Sequence, residues 1–162
     1  MRSPNWIQRA ILWAAALRIN SWWLAFALPR LDRLALKITR GKSTLTEAFL
    51  DMPVVTLVST GARSGLPRQT TLFGIQDGEK VILIGTSFGS KGHPDWYYNL
   101  RAHPEAGLQV NGETRQYRAR QADDQERQRY WPQAYEMYRG YKSYQEWAGG
   151  REIPVMVLEP ID

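Results

Sequence analysis

The sequence predicts a mainly β, α+β domain in which about six short strands close into a small closed or split β-barrel, with helices at both ends of the chain. Asp77-Gly78 and Asn111-Gly112 each separate two strand-like stretches and supply the residue types that two-residue hairpin turns demand. Val54–Val58, β-branched and apolar, reads as a buried strand, and Pro154–Leu158 as the last strand. Helix-start signals fall only near the termini and in one crossover, so hairpin-linked strands dominate, and closure is the natural way to remove their edges.

Taken in order, residues 5–40 read as one or two amphipathic helices broken near Pro29. Ala10–Leu28 is almost long enough to span a bilayer, but Arg18, Asn20 and Ser21 sit in its middle, and a central Arg costs about 2.5–3.5 kcal/mol. No small-residue cleavage site follows a compact apolar run, as a signal peptide requires. Residues 1–45 are therefore read as a helical extension and residues 46–162 as the barrel domain. The extension either packs on the domain or lies on a membrane surface, with Trp22 and Trp23 beside Arg18 and Arg30 as the interfacial anchor. The expected location is cytoplasmic, with peripheral contact at the inner face of the membrane as the second option.

After Val54–Val58 comes a polar, glycine-containing stretch, Thr60–Arg68, expected as a long turn. Gln69–Gln76 and Glu79–Thr86 form the first hairpin, and Ala106–Val110 and Glu113–Gln121 the second. Between them Pro94 is expected at the first position of a short helix, Asp95–Arg101, where its missing N–H is harmless. Asp123 and Glu126 have capping-box spacing and start a helix running towards Arg139.

Composition excludes several chemistries. The 162 residues contain no Cys and only His93 and His103, which removes disulfides, thiolate nucleophiles and Cys-ligated metals and leaves a poor basis for zinc. A formal charge of +5 favours anionic partners. Basic residues are scattered among acids rather than gathered in a stripe, which disfavours nucleic acid and leaves a phosphorylated cofactor or an anionic lipid. Seven Trp and eight Tyr suit a planar ligand as well as an ordinary core.

Three places could carry chemistry. In the turn Gly61–Arg68, two glycines let the backbone approach a ligand, and Arg63 and Arg68 bring guanidinium groups that match phosphate geometry; a solvated loop with incidental arginines is the alternative. The stretch Gly85–Pro94 leaves a strand and enters a helix, so its N–H groups could hold an anion or a polar ring edge. It contains Gly85-x-Ser87-x-Gly89, a nucleophile-elbow pattern, but Pro94 lies too far on and parallel βαβ units are missing. Lys91 is out of register for a P-loop. Tyr138, Tyr141 and Tyr144 recur every three residues, so on one helix they could line a wall of phenols, or simply plug the open end of the barrel.

Read together, Pro53–Gly65 with Pro67-Arg68, His93-Pro94-Asp95-Trp96 with Asn99-Leu100, His103-Pro104 and Ile153-Pro154-Val155 resemble the deazaflavin-dependent nitroreductase family, from about Leu31 to Pro160. The resemblance implies an FMN-binding-like split barrel and the deazaflavin coenzyme F420, with FMN or another phosphorylated flavin-like ligand as the alternative. It implies that Arg63, Ser64, Gly65 and Arg68, with Pro67 beside them, cradle the anionic tail and phosphate, and that Thr70 and Thr71 run beside the ring. It places the loop Ser87, Phe88, Gly89, Ser90 and Lys91 at the phosphate or ring, with Trp96 and Asn99 fixing the geometry of that loop. Tyr138, Tyr141 and Tyr144 match tyrosines of the substrate wall, with Tyr141 and Tyr138 foremost as proton donors. Many members carry Lys directly after the loop serine, followed by Gly-Gly; here Phe88 and Gly89-Ser90 stand there, and Lys91 supplies charge from a different position.

The implied activity is an F420H2-dependent oxidoreductase acting on a quinone, nitroaromatic or activated alkene, as a monomer or homodimer. A non-catalytic binder of a lipid or other anionic cofactor is the competing class, motivated by the apolar N-terminus and the missing loop lysine.

Overall fold

The computed structural model describes residues 53–110 and 113–161; the N-terminal helices and the Asn111-Gly112 turn expected from the sequence lie outside the described residues. Six strands form a closed antiparallel barrel in the order β1-β2-β3-β6-β5-β4. They are β1 (Val54–Thr60), β2 (Pro67–Asp77), β3 (Lys80–Ile84), β4 (Glu105–Val110), β5 (Glu113–Gln121) and β6 (Val155–Pro160). Helix α1 (Asp95–Ala102) joins β3 to β4, and α2 (Asp124–Met137) and α3 (Gly140–Trp147) join β5 to β6.

The apolar runs of the central strands reflect burial on both faces. On one face Val55, Leu57, Val81, Leu83, Met156 and Leu158 meet Leu108, Tyr117 and Ala119, with Trp96, Tyr97 and Leu100 of α1 packed against them. On the other, Ile75, Ile82, Ile84, Val155 and Val157 are covered by Tyr130 and Ala134 of α2 and by Tyr141 and Tyr144 of α3. The three-residue tyrosine series therefore belongs to the outer layer, while α1 supplies the aromatic plug in the interior cluster.

Several boundaries differ from the sequence reading. Pro67 and Arg68 are strand residues, paired with Thr60 and Ser59, so the turn is shorter than Gly61–Arg68. Strand β3 ends at Ile84, not Thr86. Pro94 is the N-cap of α1, with ψ 150, and the helix starts at Asp95. The expected helix to Arg139 stops at Met137 and a separate helix follows. Tyr138 adopts an extended conformation, and a Cβ on Gly140 would lie 2.3 Å from the Tyr138 ring, so glycine is needed for the ring to fold over the break.

The start of α2 is as expected: the Asp123 carboxylate accepts from the Glu126 N–H, and Glu126 accepts from the Asp123 N–H. Glu126 also takes two bonds of 2.6 Å from Arg120. This Arg120 hydrogen bonding holds the Glu126 carboxyl at a pKa of about 2, against an ordinary 4.5. A depressed carboxyl contributes stability above its unfolded pKa and loses it as pH falls through the folded value. Glu126→Gln keeps the capping geometry and removes the charge. It should flatten the acid-unfolding curve between the ordinary carboxyl value and the depressed one and cost about 1 kcal/mol at neutral pH, read from urea melts at each pH.

Candidate functional site

Antiparallel register brings the two glycine-containing loops to one end of the barrel. The end of β1 pairs with the start of β2, and β2 runs away from that end to Asp77 before β3 returns. The turn after β1, the Gly85–Pro94 loop after β3 and the segment before β6 thus share one end; the Asp77-Gly78 hairpin is at the other. A cavity lined by Gln76, Gly78, Glu79, Glu113 and Arg115 also lies at the hairpin end and takes in none of the candidate residues.

Between the two loops the barrel is split. Strand β2 pairs with β1 over Pro67–Phe73, but with β3 only over Gly74–Asp77. Continuing the β2–β3 register would set Thr71 opposite Thr86, but the chain leaves β3 at Ile84. The Gly74 N–H bonds to Pro53 on the β1 side. Alternation along an antiparallel strand then directs the N–H and C=O of Gln69 and Thr71 into the gap. Thr71 also shares its outward face with Phe73 and Ile75 by the period of two, and those two pack against the α2–α3 layer. Thr70 alternates to the opposite face.

The turn beside this gap is held from α1. Ala62 donates to Asn99 Oδ1 at 2.9 Å, and Asn99 Nδ2 donates to Ser59 Oγ at 3.2 Å. Asn99 thus fixes the Arg63 turn, not the Ser87–Lys91 loop. Trp96 is 4% exposed inside the core cluster and supports α1 from within instead of facing the gap. A Cβ on Gly61 would stand 2.5 Å from Ser64 Oγ and 3.2 Å from the Leu66 carbonyl, so a side chain there would push the Ser64 hydroxyl off the turn. Gly65 takes φ +66. Arg63 and Arg68 are exposed, and neither forms an ion pair among the described residues. Arg68 reaches Ser64 Oγ at 3.4 Å, which draws the guanidinium over the turn.

Across the gap, Thr86 is right-handed while Ser87 and Phe88 have φ of 50° and 53°. Two successive left-handed residues without glycine are strained, and a right-to-left-handed step turns backbone N–H groups into an anion-accepting concavity. The loop is pressed onto α3: a Cβ on Gly89, at φ +75, would meet Trp147 Cβ at 2.8 Å and Tyr144 Cα at 3.1 Å. The Phe88 ring, 45% exposed, stands edge-on to Tyr144 at 6.0 Å. Ser87 and Ser90 hydroxyls are 2.8 Å apart. Lys91 is exposed.

The three tyrosines come together, though not along one helix. Tyr138 occupies the break after α2, and its hydroxyl lies 3.3 Å from that of Tyr144 on α3. The rings of Tyr138, Tyr141 and Tyr144 pack edge-on or tilted at 5.5–6.2 Å. Burial raises all three phenols above the ordinary value of 10, so they stay protonated donors. Tyr138 is the least enclosed, at 8% exposed against 4% for the others.

Arg151 escaped the sequence reading. It donates to the carbonyls of Thr86 at 2.8 Å, Ser90 at 3.1 Å and Gly85 at 3.3 Å, and lies 3.1 Å from His93 Nδ1. These partners are some sixty residues away in the chain, so no local spacing announces them; the only signal is a lone Arg before Ile153-Pro154.

The gap is bordered by the backbone edge groups of β2, by the Phe88 ring against Tyr144, and by the guanidinium groups of Arg63 and Arg68, which form no ion pair among the described residues. The model of the family described as F420H(2)-dependent quinone reductase matches residues 31–160. A Mycobacterium tuberculosis protein provisionally named an F420H(2)-dependent quinone reductase is 33% identical over 109 residues, covering 67% of this chain and 91% of its own length. A solved F420-H2 dependent reductase superposes with a TM-score of 0.61 at 32% identity, covering 66% of this chain and 94% of that one. A solved structure described as a domain-swapped dimer gives 0.63 at 30% identity, covering 78% of this chain and 95% of that one.

Proposed function

The chain belongs to the F420H(2)-dependent quinone reductase family, and from that premise we propose that reduced F420 lies in the gap between β2 and the Gly85–Pro94 loop. The protein is an oxidoreductase that uses F420 to reduce quinones. The carrying observation for the site is the split in the β2–β3 ladder, which leaves Gln69 and Thr71 facing outward between two cationic loops.

Bound there, the reduced cofactor supplies a hydride from a ring carbon. The protein's share is placement and charge. Arg63 and Arg68, with Ser64, Gly65 and Pro67 shaping the turn, hold the phosphate and acidic tail through charge-assisted hydrogen bonds. The edge groups of Thr71, with Thr70 behind, meet the polar rim of the ring. The loop Ser87–Lys91 closes the opposite side, with Phe88 offering an apolar face where a lysine would favour a charged one. A quinone taking up a hydride also needs a proton to become a hydroquinone. We assign Tyr138, the least enclosed of the three, to hydrogen-bond the quinone oxygen and pass its proton on, with Tyr144 behind it and Tyr141 bracing both. Holding donor and acceptor carbons near contact contributes several kcal/mol of barrier lowering.

The test is direct. Purified full-length chain with reduced F420 and a soluble quinone should restore the fluorescence of oxidised F420 far faster than quinone alone. No acceleration, with cofactor bound, would contradict the reading. Nitroaromatics and activated alkenes belong in the same assay as further acceptors. The solved relative described as a domain-swapped dimer supports a dimer here too, which sedimentation would decide. Among the described residues no helix is long and apolar enough to cross a membrane.

A further inference from the structure

Resting on the groove reading above, we propose that Arg151 is a positioning residue: its guanidinium gathers the carbonyls of the Gly85–His93 loop on one side and so turns the N–H groups of Ser87 and Lys91 to the other, towards the cofactor's phosphate.

Peptide geometry sets the direction of these groups. No cis peptide bond is present in the described chain, so the C=O of each residue and the N–H of the next point in opposite directions. Arg151 takes the Thr86 carbonyl at 2.8 Å, and the Ser87 N–H therefore points away from Arg151. It takes the Ser90 carbonyl at 3.1 Å, which does the same for the Lys91 N–H. Neither N–H has a partner among the described residues, whereas Thr86, Gly89 and Ser90 N–H groups are spent on Ile84, Thr86 and Ser87 carbonyls. One planar group thus sets two donors that flank the strained Ser87–Phe88 step. The strain itself needs such a restraint, since two left-handed non-glycine residues do not persist unaided.

His93 completes the clamp. Arginine has only donors, so His93 Nδ1 accepts and the ring proton sits on Nε2. The other groups facing the ring are Arg101, Glu152 and the rings of Tyr97 and Tyr98. Burial, then Arg151 and Arg101, lowers the His93 pKa, which keeps the imidazole neutral and able to accept.

The experiment compares the full-length wild type with Arg151→Lys and Arg151→Met. Lysine keeps the charge but lacks the planar fork that spans three carbonyls. In the wild type without cofactor, the 15N signal of His93 should report an unprotonated Nδ1 that accepts a hydrogen bond, and Arg151→Met should move it to the position of a free nitrogen. On adding F420, the wild-type amide signals of Ser87 and Lys91 should shift. Arg151→Lys should raise the Kd for F420 and the KM for its reduced form about 10–50-fold, with kcat at saturation changed by less than about threefold. Wild-type protein that fails to bind F420 overturns the groove reading, and this inference with it. Wild-type binding that Arg151→Lys leaves intact, or a loss of kcat and thermal stability without the KM shift, overturns this inference alone.

Discussion

Reversing both cationic groups of the β1–β2 turn, as Arg63→Glu with Arg68→Glu, should weaken F420 binding about 100- to 1000-fold, equivalent to roughly 3–4 kcal/mol. Two favourable charge-assisted contacts are removed, and two like charges are set against an anionic phosphate and tail. The fold should not notice. Both residues are exposed and form no ion pair among the described residues, so the melting free energy should stay within about 0.5 kcal/mol of wild type. Fluorescence titration at two salt concentrations checks this: wild-type affinity should fall with salt, and the variant's should fall less or rise. A double variant that binds as tightly as wild type would remove the turn from the site.

The second large effect is expected at Gly89. Valine there meets both an adverse φ of +75° and the backbone of α3, with Tyr144 Cα 3.1 Å from the new Cβ. Backbone cannot step aside as a side-chain tip can, so the loop and α3 must separate. Gly89→Val should cost about 3 kcal/mol, or roughly 6–12 °C in Tm, and raise the KM for quinone because Phe88 loses its seat on Tyr144. Gly65→Val is the matched control. Its φ is +66° but nothing lies within 4 Å of the added Cβ, so only the left-handed penalty of about 1 kcal/mol should appear. Equal losses in the two variants would show that the Gly89 contact with α3 carries no weight.

What could be read from the chain divides along local and non-local lines. The hairpin at Asp77-Gly78 was legible in place but not in register: Asp77 is the last residue of β2, paired with Lys80, so the turn residues are Gly78 and Glu79, and only Gly78, at φ +64°, takes the positive angle expected of both turn residues. The apolar run of β1 announced a buried strand and that of β6 a last strand, and the Asp123–Glu126 pair announced the start of α2, since these signals act within a few residues. The break at Tyr138 was not legible. Spacing alone allows one helix through Tyr138, Tyr141 and Tyr144, and only the collision between a side chain at 140 and the Tyr138 ring reveals the turn. The arginines at 63 and 68 stood out beside glycines. Arg151 did not, because its partners, Gly85, Thr86, Ser90 and His93, are brought to it by barrel closure. Asn99 was picked out through the family resemblance, but its true contact, the Ala62 turn, again depends on how α1 folds back over β1.

The mechanism depends on where the cofactor sits relative to the split in the β2–β3 ladder. A crystal structure of the chain with F420 decides it. The account predicts the tricyclic ring along the β2 edge, in hydrogen-bond contact with the backbone of Gln69 or Thr71, and the phosphate within about 3 Å of Arg63 or Arg68. Cofactor density at the hairpin end instead, in the cavity beside Glu79 and Arg115, would contradict it.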